Sequence, residues 1–117
     1  MREFVELRGA SGASYRFRLW PSGDAHLPIA GNYVVVQETA NGLAILALNV
    51  SDDLSLVRNA LKPSIRDRTG HQIYTRLNVS RAVRTAEHDD LVAGSKPRRS
   101  AQAPASAGSV ASGDRSG

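Results

Sequence analysis

Two short segments near the start of the chain alternate apolar and polar residues with the two-residue period of a β-strand. They cover residues 5–8 and 15–19, and in the second segment Arg16 and Arg18 take the polar positions. Residues 9–13, Gly-Ala-Ser-Gly-Ala, lie between them and have the composition of a turn. The pattern predicts an N-terminal β-hairpin whose second strand has one apolar and one basic face.

A second hairpin is predicted where two continuous apolar runs flank an Asn-Gly pair. The runs are residues 33–36 and 43–48, and such runs are typical of strands that are covered on both faces. The dipeptide Asn-Gly at 41–42 lies between them, and it is the strongest short-range signal for a hairpin. We therefore expect the two runs to pair as neighbouring strands.

The segment after this hairpin is predicted to be helical. Ser51 is a suitable N-cap, and the next two residues, both Asp, suit the positive end of a helix. The helix would run over residues 52–61, and Pro63 would end it or begin a new turn.

A further strand and a last helix are predicted at residues 73–79 and from about residue 80 to residue 93. Asn78 or Ser80 would cap this helix, and one stripe of it would carry Val83, Ala86 or Glu87, and Leu91. Strands followed by helices predict the α+β class, with a small central antiparallel or mixed sheet and two to three helices. The N-terminal hairpin would precede this unit.

The composition of the chain changes near residue 94. The residues from there onward include no aromatic residue, no Leu and no Ile. Such a segment cannot bury enough apolar area to offset the entropy that ordering costs. We therefore predict one folded domain over residues 1–93 and a disordered basic tail, rich in Ala, Ser and Gly, over 94–117.

The composition also limits the class of protein. The chain has no cysteine, which excludes a disulfide framework and a thiolate metal site. It shows no signal-peptide pattern, and no stretch approaches the roughly twenty apolar residues of a membrane span. We therefore expect a cytoplasmic protein that has no membrane association.

Positive charge is concentrated in one segment of the predicted domain. Residues 58–84 carry a net charge of +6, because seven basic residues stand against the single acid Asp67. The basic residues of this segment are Arg58, Lys62, Arg66, Arg68, Arg76, Arg81 and Arg84, and the tail adds Lys96, Arg98 and Arg99. A polarised domain of this kind could follow a phosphate backbone, although the same side chains could simply solvate loops and helices.

Several segments together resemble the GIY-YIG nuclease superfamily. The tripeptide Gly-Asn-Tyr at 31–33 is similar to its first motif, and Ala-Leu-Asn at 47–49 occupies the place of its second. Residues 87–92 resemble its closing helix, and Lys-Pro at 96–97 the end of that helix. The resemblance covers about residues 15–97, and the order and spacing of the segments carry it, since no single motif is specific.

The resemblance implies a catalytic site of which one half is altered. Phosphodiester hydrolysis needs an activated water, a metal ion that polarises the phosphate and a cation for the developing charge. Tyr33 takes the place of the first motif tyrosine, and Gly31 that of the glycine before it. The second tyrosine falls on Ala47, which has no hydroxyl group to move a proton, and the second glycine falls on Asn49.

Two further positions depart from the family pattern by one residue each. The catalytic arginine falls on Val57, with Arg58 next to it, and the metal-binding glutamate falls on His88, with Glu87 before it. One residue turns a helix by about 100°, so each neighbour faces another direction unless the register differs. Arg58 and Glu87 are therefore candidate catalytic residues, and Glu87 is also a candidate ligand for Mg²⁺ or Mn²⁺.

The remaining candidates rest on less specific patterns. The acidic residues within 87–90 could hold a metal ion with help from His88, or could form a solvated helix face. His71 could contact a phosphate or act in catalysis, although a lone loop histidine more often does neither. Tyr33 could also be a core residue. His26 lies in another loop without a partner pattern, and we assign it no role.

Three functions remain open from the sequence. The first is a catalytically degenerate GIY-YIG-like domain, without a cofactor, that binds DNA or another nucleic acid or acts as a regulatory protein. The second is an active endonuclease that uses Tyr33, Arg58 and Glu87 with Mg²⁺ or Mn²⁺. The third is a small interaction module whose basic segment and tail bind an acidic protein.

Overall fold

The computed structural model describes residues 2–95 of the chain. The strands are β1 (Phe4–Arg8), β2 (Ser14–Trp20), β3 (Gly31–Thr39), β4 (Gly42–Ser51) and β5 (His71–Leu77). A short 3-10 helix at Leu54–Leu56 precedes α1 (Val57–Ala60) and α2 (Pro63–Arg66), and α3 (Arg81–Ser95) follows β5. The five strands form one antiparallel sheet in the order β1-β2-β5-β3-β4, which confirms the predicted α+β class.

Both predicted hairpins are present. In the first, β1 pairs with β2 from Phe4 opposite Arg18 to Arg8 opposite Ser14. In the second, β3 pairs with β4 around a two-residue turn. Gly42 directly after this turn has a φ of 117°, a conformation that glycine adopts without strain, so the Asn-Gly signal identified the turn correctly.

The last strand, β5, joins the two hairpins into one sheet. It pairs with β2 from Arg18 opposite Thr75 to Trp20 opposite Ile73. On its other side it pairs with β3, where Tyr33 lies opposite Thr75. This long-range pairing places β3 inside the sheet, between β5 and β4.

The two faces of the sheet carry separate hydrophobic clusters, because neighbouring side chains of a strand point to opposite sides. Val34 lies on the face that α3 covers, which we call the α3 face, and Leu91 of α3 belongs to the same cluster. Val35 lies on the opposite face, which we call the α1 face, and it shares a cluster with Val57 of α1. Both valines are fully buried, as predicted for a strand covered on both sides.

The first helical segment begins later and is shorter than predicted. Ser51 is the last residue of β4, and the N-cap is Asp53, whose carboxylate accepts a hydrogen bond of 3.0 Å from the Ser55 backbone N–H. The Ser51 hydroxyl accepts a hydrogen bond of 3.1 Å from the Asp53 backbone N–H and lies 2.9 Å from the Asp53 backbone oxygen, to which it donates. This local contact makes a turn and competes with helix initiation at residue 52. Pro63 begins α2, which confirms the second of the two predicted alternatives, a new turn.

The helix α3 buries Leu91 of the predicted stripe, but the prediction for Val83 is wrong. Ser80 is at its start, where the hydroxyl accepts a hydrogen bond of 3.3 Å from the Val83 N–H. Val83 itself is 47% exposed, whereas Arg84 and Leu91 are buried. The prediction failed because periodicity treats arginine as a surface residue, and here three oxygen atoms satisfy the buried guanidinium.

The C-terminal end of α3 packs closely on the first hairpin. A Cβ added at Gly94 would lie 2.8 Å from the Arg8 oxygen and the Ala10 nitrogen, so only glycine fits there. The helix continues through Ser95, two residues beyond its predicted end at about residue 93. The rest of the predicted tail, with Lys96, Arg98 and Arg99, lies outside the described residues. Within residues 2–95, no helix has the length and apolar character that crossing a membrane requires.

Candidate functional site

The three catalytic candidates do not share one side of the sheet. Asn32 of β3 reaches α3, where its side-chain nitrogen donates a hydrogen bond of 3.2 Å to the Arg84 backbone oxygen. Tyr33 is the next residue and therefore points to the α1 face, where it packs against the cluster that contains Val57. Glu87 lies on α3. Tyr33 and Glu87 are thus separated by the sheet, and the structure does not bring them together.

Tyr33 is held in an environment that keeps its hydroxyl protonated. The side chain is half-buried beside Ala47 in the same hydrophobic cluster. Burial raises the pKa of the Tyr33 phenol, because the charged phenolate would lose its hydration. Gly31, two residues earlier, lies so close to β5 that a Cβ would contact the Arg76 backbone oxygen. This glycine therefore has a structural reason to be present, independent of any catalytic motif.

Arg58 lies on the same side of the sheet as Tyr33 and anchors the loop after β2. Its guanidinium donates hydrogen bonds of 2.7 Å to the Trp20 oxygen and 3.1 Å to the Pro21 oxygen. It also lies 4.1 Å from the centroid of the Trp20 ring, within the range of a cation–π contact. Partial burial lowers the pKa of Arg58, although an arginine remains protonated at neutral pH.

Glu87 is engaged in a polar network between α3 and β5. Its carboxylate accepts hydrogen bonds of 2.9 Å from Arg76 Nε and 2.8 Å from Asn78 Nδ2. The same Asn78 nitrogen lies 3.1 Å from the side-chain oxygen of the buried Asn32. These contacts give Glu87 the structural role of holding the helix on the sheet.

Asp90, the other acidic residue with defined partners in this part of α3, joins the helix to the first hairpin. Its carboxylate accepts hydrogen bonds of 2.8 Å from the Ser11 N–H, 2.7 Å from the Ser11 hydroxyl and 2.7 Å from the Tyr15 hydroxyl. These bonds, those from Ser11 first, lower the pKa of Asp90, because they stabilise the charged form. Among the described residues, no three side chains of His, Asp or Glu converge as metal ligands would.

His71 lies at the other end of the sheet from Tyr33. It is the first residue of β5 and pairs with Gln37, whereas Tyr33 pairs with Thr75 four residues further along β5. Four strand residues span about 13 Å. The ring nitrogen Nδ1 lies 2.7 Å from the Arg68 backbone oxygen and must donate to it, since a carbonyl only accepts. His71 is therefore not part of a cluster with Tyr33.

The fold divides the basic segment 58–84 between the two sides of the sheet. Arg76, Arg81 and Arg84 lie on the side of α3, where acidic residues hold Arg76 and Arg84, while Arg81 is exposed. Arg76 is paired with Glu87 at 2.9 Å, and Arg84 with Asp52 at 2.9 Å, while Arg81 lies 3.9 Å from Asp52. Arg84 is only 5% exposed and cannot meet a ligand. These three residues therefore do not form the continuous basic surface that the sequence predicted.

The other half of the segment lies over the α1 face and is joined there by two arginines of β2. Arg58, Lys62, Arg66 and Arg68 belong to the segment whose apolar residues pack on that face. Arg16 and Arg18 point to the same face, because Phe17 between them lies in the cluster under α3. We call these six residues the basic side: Arg16, Arg18, Arg58, Lys62, Arg66 and Arg68. The alternation of residues 15–19 already indicated a basic strand face, but only the fold shows what lies beside it.

The part of the α1 face formed by β1, β2 and β5 contains a groove of about 700 Å³. Phe4, Leu27 and Leu77 line it, and they are 41%, 59% and 52% exposed. Arg16 and Arg18 also line it, and their side chains are 62% and 70% exposed. The groove therefore combines an accessible apolar surface with two arginines.

One wall of the groove is built by residues to which sequence reasoning assigned no role. The edge of the His26 ring lies against Trp20, with 4.9 Å between centroids. His26 Nδ1 lies 2.8 Å from the Leu27 oxygen, and Nε2 lies 2.8 Å from the Thr75 hydroxyl. Because the Leu27 carbonyl only accepts, Nδ1 carries the hydrogen, and Nε2 of the neutral ring accepts from Thr75. Both polar groups of the ring are thus satisfied within the protein.

Acidic side chains accompany the two arginines of the groove. Glu6 lies 3.4 Å from Arg16, and Glu3 lies 3.6 Å from Arg18. All four side chains are more than half exposed, and ion pairs of this kind contribute little to stability. The arginines can therefore exchange these carboxylates for another anion at small cost.

Comparison of the chain with protein-family models, with curated proteins and with solved structures finds no match. The candidate site consists of the basic side and the adjoining groove.

Proposed function

We propose that this chain is a non-catalytic, degenerate GIY-YIG-like domain that binds nucleic acid through its basic side. The observation that carries the proposal is the division of charge by the sheet. Residues 57–68 over the α1 face have a net charge of +3, whereas α3, on the opposite side, has a net charge of −1. A domain polarised in this way attracts a phosphate backbone to one side and repels it from the other.

Three observations support a binding role without catalysis. Ala47 has no hydroxyl at the place of the second motif tyrosine. Tyr33 is half-buried with a raised pKa. Glu87 lies across the sheet from Tyr33 and is held by Arg76 and Asn78. Hydrolysis would need these groups around one phosphate, since a catalytic group must be within hydrogen-bond reach of the reacting atoms.

The proposal is tested by measuring oligonucleotide binding at several salt concentrations. A binder that neutralises phosphates loses affinity linearly in the logarithm of salt concentration, with a slope of about 0.7 to 0.9 for each phosphate contact. We expect Lys62→Gln with Arg66→Gln to weaken binding at low salt and to reduce the slope by about two contacts. The matched control is Arg81→Gln on the opposite side, which we expect to change neither quantity.

Two results would contradict this function. One is an absence of binding to any oligonucleotide at low salt. The other is an equal loss of affinity in the Arg81→Gln control, because it would show a general charge effect. Cleavage in the presence of Mg²⁺ or Mn²⁺ that Glu87→Ala abolishes would instead support the endonuclease hypothesis.

A protein partner is the second candidate, and the composition of the groove favours it. Phe4, Leu27 and Leu77 expose apolar surface, and both signs of charge lie close by in the Arg16–Glu6 and Arg18–Glu3 pairs. Apolar patches rimmed by polar residues often mark protein interaction sites. An acidic peptide that competes with an oligonucleotide for the basic side would support this candidate.

A further inference from the structure

We propose, on the basis of the nucleic-acid binding proposed above, that the groove selects single strands by accepting an unpaired base. The base would lie against Phe4, Leu27 and Leu77, and Arg16 and Arg18 would hold the neighbouring phosphates. This goes beyond phosphate binding by the basic side, because it predicts that the domain discriminates between single strands and duplexes.

Several exposed apolar side chains of the domain meet at this groove. Seven large hydrophobic residues are exposed among residues 2–95, and three of them line the groove: Phe4, Leu27 and Leu77. The volume of about 700 Å³ lies within the range of pockets that enclose small molecules, so a nucleoside can enter it. A base offers a planar apolar face to such a surface, whereas a phosphate does not.

Two planar side chains of the groove lie next to each other. The Arg16 guanidinium carbon lies 5.2 Å from the centroid of the Phe4 ring. Proteins that bind single strands stack bases on aromatic rings and on arginine planes, and every base can take part. Phe4 is 41% exposed, so part of its ring remains accessible beside Arg16.

The polar groups of the groove wall favour a sequence-tolerant site. His26 and Thr75 satisfy each other at 2.8 Å, and the Trp20 indole N–H donates a hydrogen bond of 2.7 Å to the Asp24 oxygen. A base would therefore meet no unsatisfied donor or acceptor from these three side chains. Bases of a duplex are stacked and paired, so they must be extruded at a cost of a few kcal/mol before they can enter. The groove thus favours strands whose bases are already free.

The experiment uses Trp20 as its reporter. It is the single tryptophan of the chain and it lines the groove, so a base that enters is expected to change its fluorescence. Oligo(dT) and oligo(dA) are titrated into the full chain, with a duplex of equal length as the comparison. We expect single strands to bind at least tenfold more tightly than the duplex and to change the emission of Trp20.

A matched pair of variants locates the base. Leu77→Ser removes an apolar side chain of the groove that is 52% exposed, and Leu56→Ser removes one outside it that is 62% exposed. We expect Leu77→Ser to weaken single-strand binding about tenfold, because it removes apolar surface that the base would bury, and to leave duplex binding unchanged. Leu56→Ser should change neither. Circular dichroism and thermal unfolding verify that both variants fold, and Phe4→Ala replaces Leu77→Ser if that variant does not.

The outcomes separate this inference from the function on which it rests. If neither single strands nor duplexes bind at low salt, the proposed nucleic-acid function fails as well. If both bind equally and Leu77→Ser behaves as Leu56→Ser does, nucleic-acid binding stands and the base-binding groove is overturned. If polyglutamate but no oligonucleotide changes the Trp20 emission in a Leu77-dependent way, the groove binds a protein segment and the inference is also overturned.

Discussion

The two faces of the sheet are covered by different helices and to a different extent. On the α3 face, a helix of fifteen residues covers the strands, and its Arg84 and Glu87 are hydrogen-bonded to Asp52, Asn32 and Asn78. On the α1 face, the short helices α1 and α2 pack on a cluster that includes Trp20, Val35 and Ile73, and an open groove lies beside it. Both faces therefore bury a hydrophobic cluster, whereas the open groove lies on the α1 face.

The arginines of the two faces also differ in their burial and in their partners. Arg84 under α3 is 5% exposed and bonded to three oxygen atoms, so it acts as a core residue. Arg18 in the groove has a side chain that is 70% exposed and a single weak ion pair with Glu3. The presence of an arginine in the sequence therefore does not predict phosphate binding, because burial and hydrogen-bond partners decide whether a phosphate can reach it. Stability should consequently respond to mutations on both faces, and binding to mutations on the α1 face.

The largest expected effect is the loss of Arg84. Arg84→Ala would leave the Asn78 and Val79 carbonyl groups without their donor and would remove the packed stem of the side chain. Buried acceptors without a partner cost about 1–3 kcal/mol, so with the lost packing we expect the free energy of unfolding to fall by about 3 kcal/mol. Urea unfolding measures this change.

The control for this prediction is Arg81→Ala, one turn earlier on α3. Arg81 has a side chain that is 81% exposed and lies 3.9 Å from Asp52. Its replacement should cost less than about 0.5 kcal/mol, as surface substitutions usually do. Similar losses in both variants would show that the α3 face does not depend on its buried network.

The second expected effect is a loss of both stability and oligonucleotide binding when Arg58 on the α1 face is replaced. Arg58→Ala removes two hydrogen bonds to the loop after β2 and the contact with the Trp20 ring. We expect a loss of about 1–2 kcal/mol in stability, and a weaker binding of oligonucleotides because the groove wall loses its anchor. Urea unfolding and fluorescence titration measure the two effects.

Arg58→Lys distinguishes position from charge. Lysine keeps the positive charge but cannot reproduce the two-pronged contact with the Trp20 and Pro21 oxygens. If Arg58 positions the loop, this variant should resemble Arg58→Ala in stability. Full recovery of stability by lysine would instead assign the effect to charge alone.

The sequence predicted the parts of this molecule that depend on local signals. The two hairpins followed from two-residue alternation at 15–19 and from Asn-Gly at 41–42, both of which act over a few residues. The buried Arg84 could not be predicted, because its burial depends on Asn78, Val79 and Asp52 around it. Helical periodicity alone placed Val83 inside, and this was wrong.

The candidate site was harder to predict than the fold for the same reason. The groove exists because β2 pairs with β5, more than fifty residues away, while no helix within residues 2–95 lines it. His26 forms part of the groove wall, where it is hydrogen-bonded to Thr75, and no spacing in the sequence indicates that these two residues meet. The family resemblance suggested Tyr33 and Glu87 as partners, but side-chain alternation on β3 places them on opposite faces.

The third prediction concerns the pH dependence of the α3 face. The hydrogen bonds from Ser11 and Tyr15 lower the pKa of Asp90 below its value in the unfolded chain, about 3.9. The folded state therefore binds fewer protons near that pH, so this contribution is present above about pH 4 and is lost as the pH falls through the folded-state pKa. Asp90→Asn should reduce the loss of stability on acidification, measured by urea unfolding between pH 6 and pH 2. The exposed neighbour Asp89→Asn serves as the control, and an equal reduction in that variant would assign the effect to general charge.

The smallest expected effect is a gain of affinity on the α1 face. Glu3→Gln with Glu6→Gln removes the carboxylates that now accompany Arg18 and Arg16, at 3.6 Å and 3.4 Å. Because both pairs are exposed, stability should change by less than about 1 kcal/mol, whereas each arginine no longer has to exchange a carboxylate for a phosphate. We expect single strands to bind about two- to fivefold more tightly at low salt, and the gain to shrink as added salt screens the charges. The matched control, Glu38→Gln on β3, adds the same kind of neutral residue away from the groove. An equal gain from that single change, or no gain from the double change, would show that Arg16 and Arg18 do not hold the phosphates.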